Sequence, residues 1–190
     1  MPKVNTSPVA PGSIKPALDP TGLLVSPLTV RNAGIVLCQS YIQILLERLD
    51  LVDQDQFVSP EARLSAVRYL RFLVTGQCDA QDLSLDKVLC GLPLAVSVEQ
   101  DFTVSQGDAE MIQGLLESIV NYWPAIGASS IAGFRSNWLV REGILSETSE
   151  CWNLIVGKRA YDVLLDSCPL PYSVVKLPWM SKPLHVEWPT

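Results

Sequence analysis

The stretch NAGIVLCQSYIQILLERL, residues 32–49, carries the clearest structural signal in the sequence. Its apolar side chains recur at intervals of three and four residues, which is the spacing of one face of an α-helix. Gln39, Gln43 and Glu47 occupy another row of the same helix. The spacing therefore predicts an amphipathic helix that contributes to a core through Ile35, Cys38, Ile42, Leu45 and Leu49.

A second helix is predicted to begin at Ser59. A serine side chain accepts hydrogen bonds from the first free amides of a helix, and Pro60 suits the first helical position. Glu61 favours the positive end of the helix, and Gly76 is placed to end it. The buried stripe predicted for this helix is Leu64, Val67, Leu70 and Val74.

Three more helices are predicted within residues 84–90, 105–123 and 130–142. After Gly143 the pattern changes, because apolar and polar side chains alternate in residues 152–156 and 184–188, as in strands with one buried face. Residues 172–177 form a third strand candidate, and the segment AYDVLLDSC, residues 160–168, is compatible with a helical turn. The sequence therefore predicts an α+β fold of about five helices followed by a small antiparallel sheet.

The N-terminal residues differ in composition from the rest of the chain. Residues 1–28 hold six prolines together with serine, threonine, asparagine and glycine, and they lack hydrophobic periodicity. Such a composition is typical of a flexible arm or linker. We therefore expect a proline-rich arm over residues 1–28 and one compact domain over residues 29–190.

The composition excludes several classes of function. The 190-residue chain has a net charge of −6, whereas a nucleic-acid-binding protein normally carries a basic face. No apolar stretch is long enough to cross a bilayer and no signal-peptide core is present, so we expect synthesis in the cytoplasm and no membrane insertion. Five cysteines without a CxxC pair predict reduced thiols in the core. The charged share of 18% is low, which suggests that a partner covers part of the surface.

The residues needed for catalysis or metal binding do not occur in a workable pattern. His185, the one histidine, is predicted to be an exposed strand residue opposite Leu184 and Val186. We therefore expect no enzyme, no catalytic, cofactor-binding or metal-ligating residues, and no cofactor. Arg48, Arg63, Arg68 and Arg71 are expected to form local ion pairs rather than a phosphate site. Two acidic runs lack the glycine and the final glutamate of a calcium loop, and they are Asp50, Asp53 and Asp55, and Asp79, Asp82 and Asp86.

Several stretches, taken in order, resemble the C-terminal region of the contractile injection system tape measure protein family. They cover residues 30–51, 61–76, 85–94, 121–145, 151–166 and 174–188. The most specific parts are KVLCGL at residues 87–92, Arg141-Glu142-Gly143, Tyr161-Asp162 and KLPWM at residues 176–180. In the closing LPWM…VEW segment, Trp179, Met180 and Trp188 are expected to pack on the helical layer. Asp162 and Lys176 lie beside apolar runs, where an ion pair or a contact with a partner is open.

The resemblance implies a structural component of a contractile, phage-tail-like injection particle. It implies a place in or at the end of the inner tube, with inner-tube, spike or hub subunits as partners and a homo-oligomer imposed by the particle's symmetry. The arm would thread into the lumen or along a neighbouring subunit, and release of the particle from the cell is compatible with this role.

The length of the chain limits what it can measure. A compact core of this size has an expected radius of about 15 Å, and the arm reaches at most about 100 Å. We therefore expect either the terminal domain of a longer protein or a short member placed at one end of the tube. The alternative is an adaptor or plug that binds cargo or closes the lumen, which an unstructured arm fits equally well.

Overall fold

The computed structural model describes residues 25–78, 82–99 and 101–189. Five α-helices occur in these ranges, and they are α1 (Gln39–Arg48), α2 (Pro60–Thr75), α3 (Ser84–Leu89), α4 (Gln106–Tyr122) and α5 (Ile131–Phe134). A 3-10 segment, Ala33–Cys38, leads into α1, and a π-helical segment, Arg135–Leu139, continues α5. Two further 3-10 turns are Pro124–Ile126 and Asp162–Ser167.

The helix boundaries follow the predicted capping residues. The Ser59 hydroxyl accepts from the amide of Ala62 at 3.0 Å, and α2 ends at Gly76, which has a positive φ of 71°. The Ser105 hydroxyl accepts from the amide of Asp108 at 3.1 Å. These contacts confirm the predicted starts of α2 and α4, because each cap satisfies an amide that the helix itself leaves free.

The strands form two sheets. The larger has the strand order β1-β4-β5-β7-β6, and the smaller is a short hairpin of β2 and β3. The bounds are β1 Val25–Val30, β2 Val52–Asp53, β3 Gln56–Phe57, β4 Gly143–Glu147, β5 Trp152–Val156, β6 Val174–Val175 and β7 Leu184–Glu187. The α+β class is thereby confirmed, and the segment 160–168 contains the helical turn that its sequence allowed.

The larger sheet differs from the expected one in two respects. It is mixed rather than antiparallel, because β7 pairs with β5 in parallel. The residues between those strands cross over the sheet, and an alternating pattern gives the strand but not its direction. The sheet also includes a strand that precedes all the helices, since β1 pairs with β4.

Strand β1 lies at an edge of the sheet, in residues whose prolines suggested an arm. Pro27 is tolerated there because an edge strand needs hydrogen bonds on one side only. The pairing with β4 is irregular between Val25 and Leu28, on either side of this proline. The first strand therefore begins inside the expected arm, and the rest of that arm, residues 1–24, lies outside the described residues.

The two faces of the larger sheet have different surroundings. On the inner face, Val30, Leu145, Leu154 and Leu184 are buried against the helical layer. On the outer face, the paired residues Ile144 and Ile155 are 41% and 46% exposed, and His185 and Glu187 are exposed beside them. The sheet thus closes the core with one face and presents the other to solvent.

The core lies between the inner face and the helices. The rings of Trp123 and Trp138 meet there at 4.5 Å between centroids. Met180 and Trp188 are buried and Trp179 is half-buried, which confirms that the closing segment packs on the helices. All five cysteines are free thiols; Cys38 and Cys90 are fully buried, and burial raises the pKa of Cys38 to about 12.

Candidate functional site

Arg141 and Asp162 form a buried ion pair in which neither side chain is exposed. The guanidinium donates to the carboxylate through two parallel hydrogen bonds, Nη1 to Oδ1 at 2.8 Å and Nη2 to Oδ2 at 2.7 Å. This bidentate geometry is the strongest form of such a pair. Nη2 also donates to the carbonyl oxygen of Gly157 at 2.5 Å. Arg141 therefore fastens the start of β4 to the crossover that follows β5.

The Asp162 carboxylate collects two further hydrogen bonds. The amide of Arg159 donates to Oδ2 at 2.8 Å, and the indole Nε1 of Trp188 donates to the same oxygen at 3.2 Å. The Trp188 ring also lies under the Arg141 guanidinium, 5.1 Å from ring centroid to Cζ. Burial raises the pKa of Asp162, but the hydrogen bonds from Arg141, Arg159 and Trp188 outweigh it, so that the pKa lies below its usual range. Three of the specific motifs thus converge on one carboxylate.

A second contact joins the α3 segment to the LPWM motif. The indole Nε1 of Trp179 donates to the carbonyl oxygen of Leu89 at 2.8 Å. Gly91 has a positive φ of 66°, and a Cβ atom there would lie 2.6 Å from the Trp179 carbonyl oxygen. The Lys87 ammonium donates to the carbonyl oxygen of Leu94 at 3.0 Å and holds the turn after α3. The motif KVLCGL is therefore a docking point for the C-terminal segment, and only glycine fits at its tightest position.

A third contact joins the N-terminal side of α1 to α3. The amide Nδ2 of Asn32 donates to Oδ1 of Asp86 at 2.9 Å, and both side chains are fully buried. Among the described residues, Oδ2 of Asp86 has no hydrogen-bond partner. Burial raises the pKa of Asp86 to about 7, although Arg71 and the hydrogen bond from Asn32 act in the opposite direction. Asp86 is thus a buried carboxyl group that titrates near neutral pH.

Replacing Asp86 with asparagine should change how stability depends on pH. The pKa of Asp86 is raised from 3.8 to about 7 in the folded protein, so its ionisation opposes folding as the pH rises through this window. The stability of the wild type relative to Asp86→Asn should therefore fall between pH 4 and pH 7, by up to about 4 kcal/mol. Urea unfolding of both proteins across this range measures the difference.

Asp166→Asn, at an exposed position, is the matched control and should keep a constant difference from the wild type. A difference between wild type and Asp86→Asn that stays flat from pH 4 to pH 7 would contradict the assignment of a raised pKa to Asp86.

The residues considered for chemistry at the sequence level do not meet in one place. His185 is exposed on the outer face of the sheet, as predicted. Asp50 and Asp55 lie in turns with positive φ angles of 55° and 65°, and Asp79 lies outside the described residues. In the described part of the chain, no group of three or more His, Cys, Asp or Glu residues is arranged to hold a metal ion. None of the described helices is long and apolar enough to cross a membrane.

The arginines and Lys176 also take structural positions. Arg63 stacks on Phe57 at 4.9 Å and Arg68 on Phe102 at 4.8 Å, so these two guanidinium groups face different aromatic rings and do not converge. Lys176 contacts the carbonyl oxygen of Met180. Its ammonium therefore holds the LPWM turn, whereas Asp162, considered beside it at the sequence level, pairs with Arg141.

Two residues that matter for these contacts were not singled out from the sequence. Asn32 was read only as part of a helix start, and its pairing with Asp86 joins positions 54 residues apart. Gly34 packs directly on backbone, since a Cβ there would clash with the carbonyl oxygen of Trp138 and lie 2.8 Å from the Cα of Leu139. A glycine between buried apolar neighbours was the one available sign of such a close approach.

These contacts define a structural domain whose signature residues hold its own segments together. A comparison with known protein families matches residues 10–188 to the contractile injection system tape measure protein family. The chain belongs to this family, which consists of structural components of injection systems and is not an enzyme family. Comparisons with curated proteins and with solved structures give no significant match.

Proposed function

We propose that this domain is an anchor in or at the end of the inner tube of the injection particle, near the spike or hub. The observation that carries the proposal is that the family's signature residues are used to close a compact domain. A domain with a radius of about 15 Å adds little to the length of a tube, whatever the length of the chain that contains it. Its contribution is therefore attachment to neighbouring subunits rather than measurement.

The surface of the domain supports attachment. The outer face of the sheet presents Ile144 and Ile155 beside Ser146, Asn153 and His185. An apolar centre with a polar rim is the usual composition of a protein interface. Residues 1–28 complete the proposal as a segment that runs into the lumen or along a tube subunit, with inner-tube, spike or hub subunits as partners.

Deleting the gene in the producing organism tests this placement. We expect few particles, or tubes of irregular length, in electron micrographs of the purified fraction, because tube assembly would lack its anchor. Complementation with the wild-type chain should restore uniform tubes. Complementation with Val163→Ser, which changes an exposed side chain, should do the same and serves as the control.

Mass spectrometry of particles stripped of their sheath provides the second measurement. We expect the chain to remain with the tube and spike subunits in constant stoichiometry. Tubes of normal number and length without the chain, combined with loss of a cargo protein, would overturn the proposal in favour of an adaptor or plug.

A further inference from the structure

The domain carries a basic and partly apolar surface at one end of the sheet. Arg31, Glu142, Lys158 and Arg159 surround a depression there, giving three basic groups and one acidic group. Val140 is 37% exposed beside them, and the exposed pair Ile144 and Ile155 continues the surface along the strands. We call this the basic surface, and its residues are Arg31, Val140, Ile144, Ile155, Lys158 and Arg159.

One charge of the basic surface is held in a fixed position. The Arg159 guanidinium donates to the carbonyl oxygens of Ser136, Asn137 and Val140 at 3.2 to 3.3 Å. A side chain anchored in this way loses little conformational entropy when a partner binds. The surface is thus preorganised for an acidic, partly apolar partner.

A surface of opposite character lies at the far end of α1. The side chains of Glu47, Asp50 and Asp53 line a second depression together with Val58, which is 56% exposed. Ile44, one turn before Glu47 on α1, is 46% exposed. We call this the acidic surface, and its residues are Ile44, Glu47, Asp50, Asp53, Asp55 and Val58.

The carboxylates of the acidic surface are also held in position. Gln43 donates from Nε2 to Glu47 at 2.9 Å and to Asp55 at 2.7 Å, which brings the two negative charges together. The turn between β2 and β3 is tight, with positive φ angles at Gln54 and Asp55. Arg48 on the same helix is exposed and leaves this surface with an excess of negative charge.

The two surfaces lie at opposite ends of one continuous helical run. Arg31 immediately precedes the 3-10 segment that leads into α1, and Asp50 follows the end of α1. A helical run over residues 33–48 is about 25 Å long, so a single copy cannot bring its two surfaces together.

We infer that the basic surface of one copy binds the acidic surface of the next copy of this chain. Charge and apolar content are complementary, because each surface combines exposed aliphatic side chains with charges of one dominant sign. Since the two surfaces differ, the contact is heterologous, and it generates a ring or an open chain of copies rather than a closed pair. The contact goes beyond the proposed placement and is expected of the isolated chain.

Residues 1–24 are the other candidate occupant from this chain. They carry Lys3 and Lys15 against one acid, Asp19, so their charge does not complement the basic surface. Binding of these residues to the acidic surface would leave the basic surface without a role in self-association. Variants of both surfaces therefore separate the two occupants.

Sedimentation velocity of the full chain at low and high salt tests the inference. At low salt we expect the average mass of the wild type to rise with concentration from that of a 20.9 kDa monomer to beyond a dimer, and high salt should weaken this rise. Arg31→Glu with Lys158→Glu reverses the basic surface, and Glu47→Lys with Asp53→Lys reverses the acidic one. Each double variant should associate at least about tenfold more weakly than the wild type.

A mixture of the two double variants gives the sharpest result. Each variant retains one intact surface, so the mixture should form a complex of two chains and nothing larger. Glu110→Lys with Glu117→Lys, on the exposed side of α4, changes the net charge as much as the acidic-surface variant does and should associate like the wild type.

Three results would overturn the inference. The first is a wild type that stays monomeric at every concentration at low salt, and the second is a mixture that does not form the two-chain complex. The third is loss of association in the acidic-surface variant alone, which would point to residues 1–24 as the occupant.

Discussion

Replacing Asp162 with alanine is expected to lower the free energy of unfolding by about 3–5 kcal/mol. The substitution leaves the Arg141 guanidinium fully buried without its bidentate partner. It also removes the acceptor of the Trp188 indole and of the Arg159 amide. An uncompensated buried charge costs far more than the net value of the pair, so the loss should exceed that of an ordinary surface substitution. Urea unfolding of the purified variant measures it.

Asp166→Ala is the matched control, because Asp166 lies in the same 3-10 turn and is exposed. It should change stability by less than about 0.5 kcal/mol. The stabilisation from Asp162 should persist at pH values above its ordinary pKa and fade only as the pH falls through the lowered pKa of the folded state. Equal stabilities of the two alanine variants at pH 7 would show that the pair does not hold the crossover in place.

Replacing Gly34 with alanine is expected to destabilise the protein by at least about 3 kcal/mol. The added methyl group would clash with the carbonyl oxygen of Trp138 and lie 2.7 Å from its carbonyl carbon. These are backbone atoms of the π-helical segment after α5, and no rotamer change can relieve the contact. Thermal unfolding, or the yield of soluble protein if the variant is too unstable to purify, measures the effect.

Gly114→Ala provides a control with the opposite sign. Gly114 lies on the exposed side of α4, where an added Cβ meets no atom within 4 Å. Alanine in a helix interior is more stable than glycine by about 0.5–1 kcal/mol, so this variant should unfold at a higher temperature than the wild type. A loss of stability in Gly114→Ala comparable to that in Gly34→Ala would remove close packing as the explanation.

The helical part of the fold was predictable because its signals are local. The spacing of Ile35, Cys38, Ile42 and Leu45 placed the core face of the first helical run, and all four side chains are buried. Ser59 and Gly76 bound α2 as their chemistry requires. Each of these positions is decided by neighbours within one or two turns of the chain.

The sheet was less predictable because its signals are not local. β1 was hidden by Pro27, and only its place at the edge of the sheet makes that proline acceptable. β4 follows the π-helical segment so closely that residues 140–142 were expected to remain helical. The parallel pairing of β5 and β7 depends on the path of the residues between them, and local pattern carries no information about that path.

The internal contacts were recognisable as motifs before their roles were visible. Arg141 and Asp162 both fall in specific stretches of the family resemblance, yet sequence alone did not pair them, because 21 positions separate them and Lys176 offered another partner. Asn32 and Asp86 are 54 positions apart and gave no joint signal. A buried polar pair is specified by the fold around it, so the fold must be known before the pair can be assigned.

The strand order also governs the sequence of events by which the domain folds. β4 and β5 are joined by only four residues, 148–151, and can pair early. β1 must wait for the whole helical region to close on β4, and β7 must wait for the crossover, so both pairings close large loops and form slowly. Until β7 arrives, one edge of β5 offers unpaired amide and carbonyl groups to any passing chain. A newly made molecule therefore passes through a stage in which joining the sheet of a neighbour competes with completing its own.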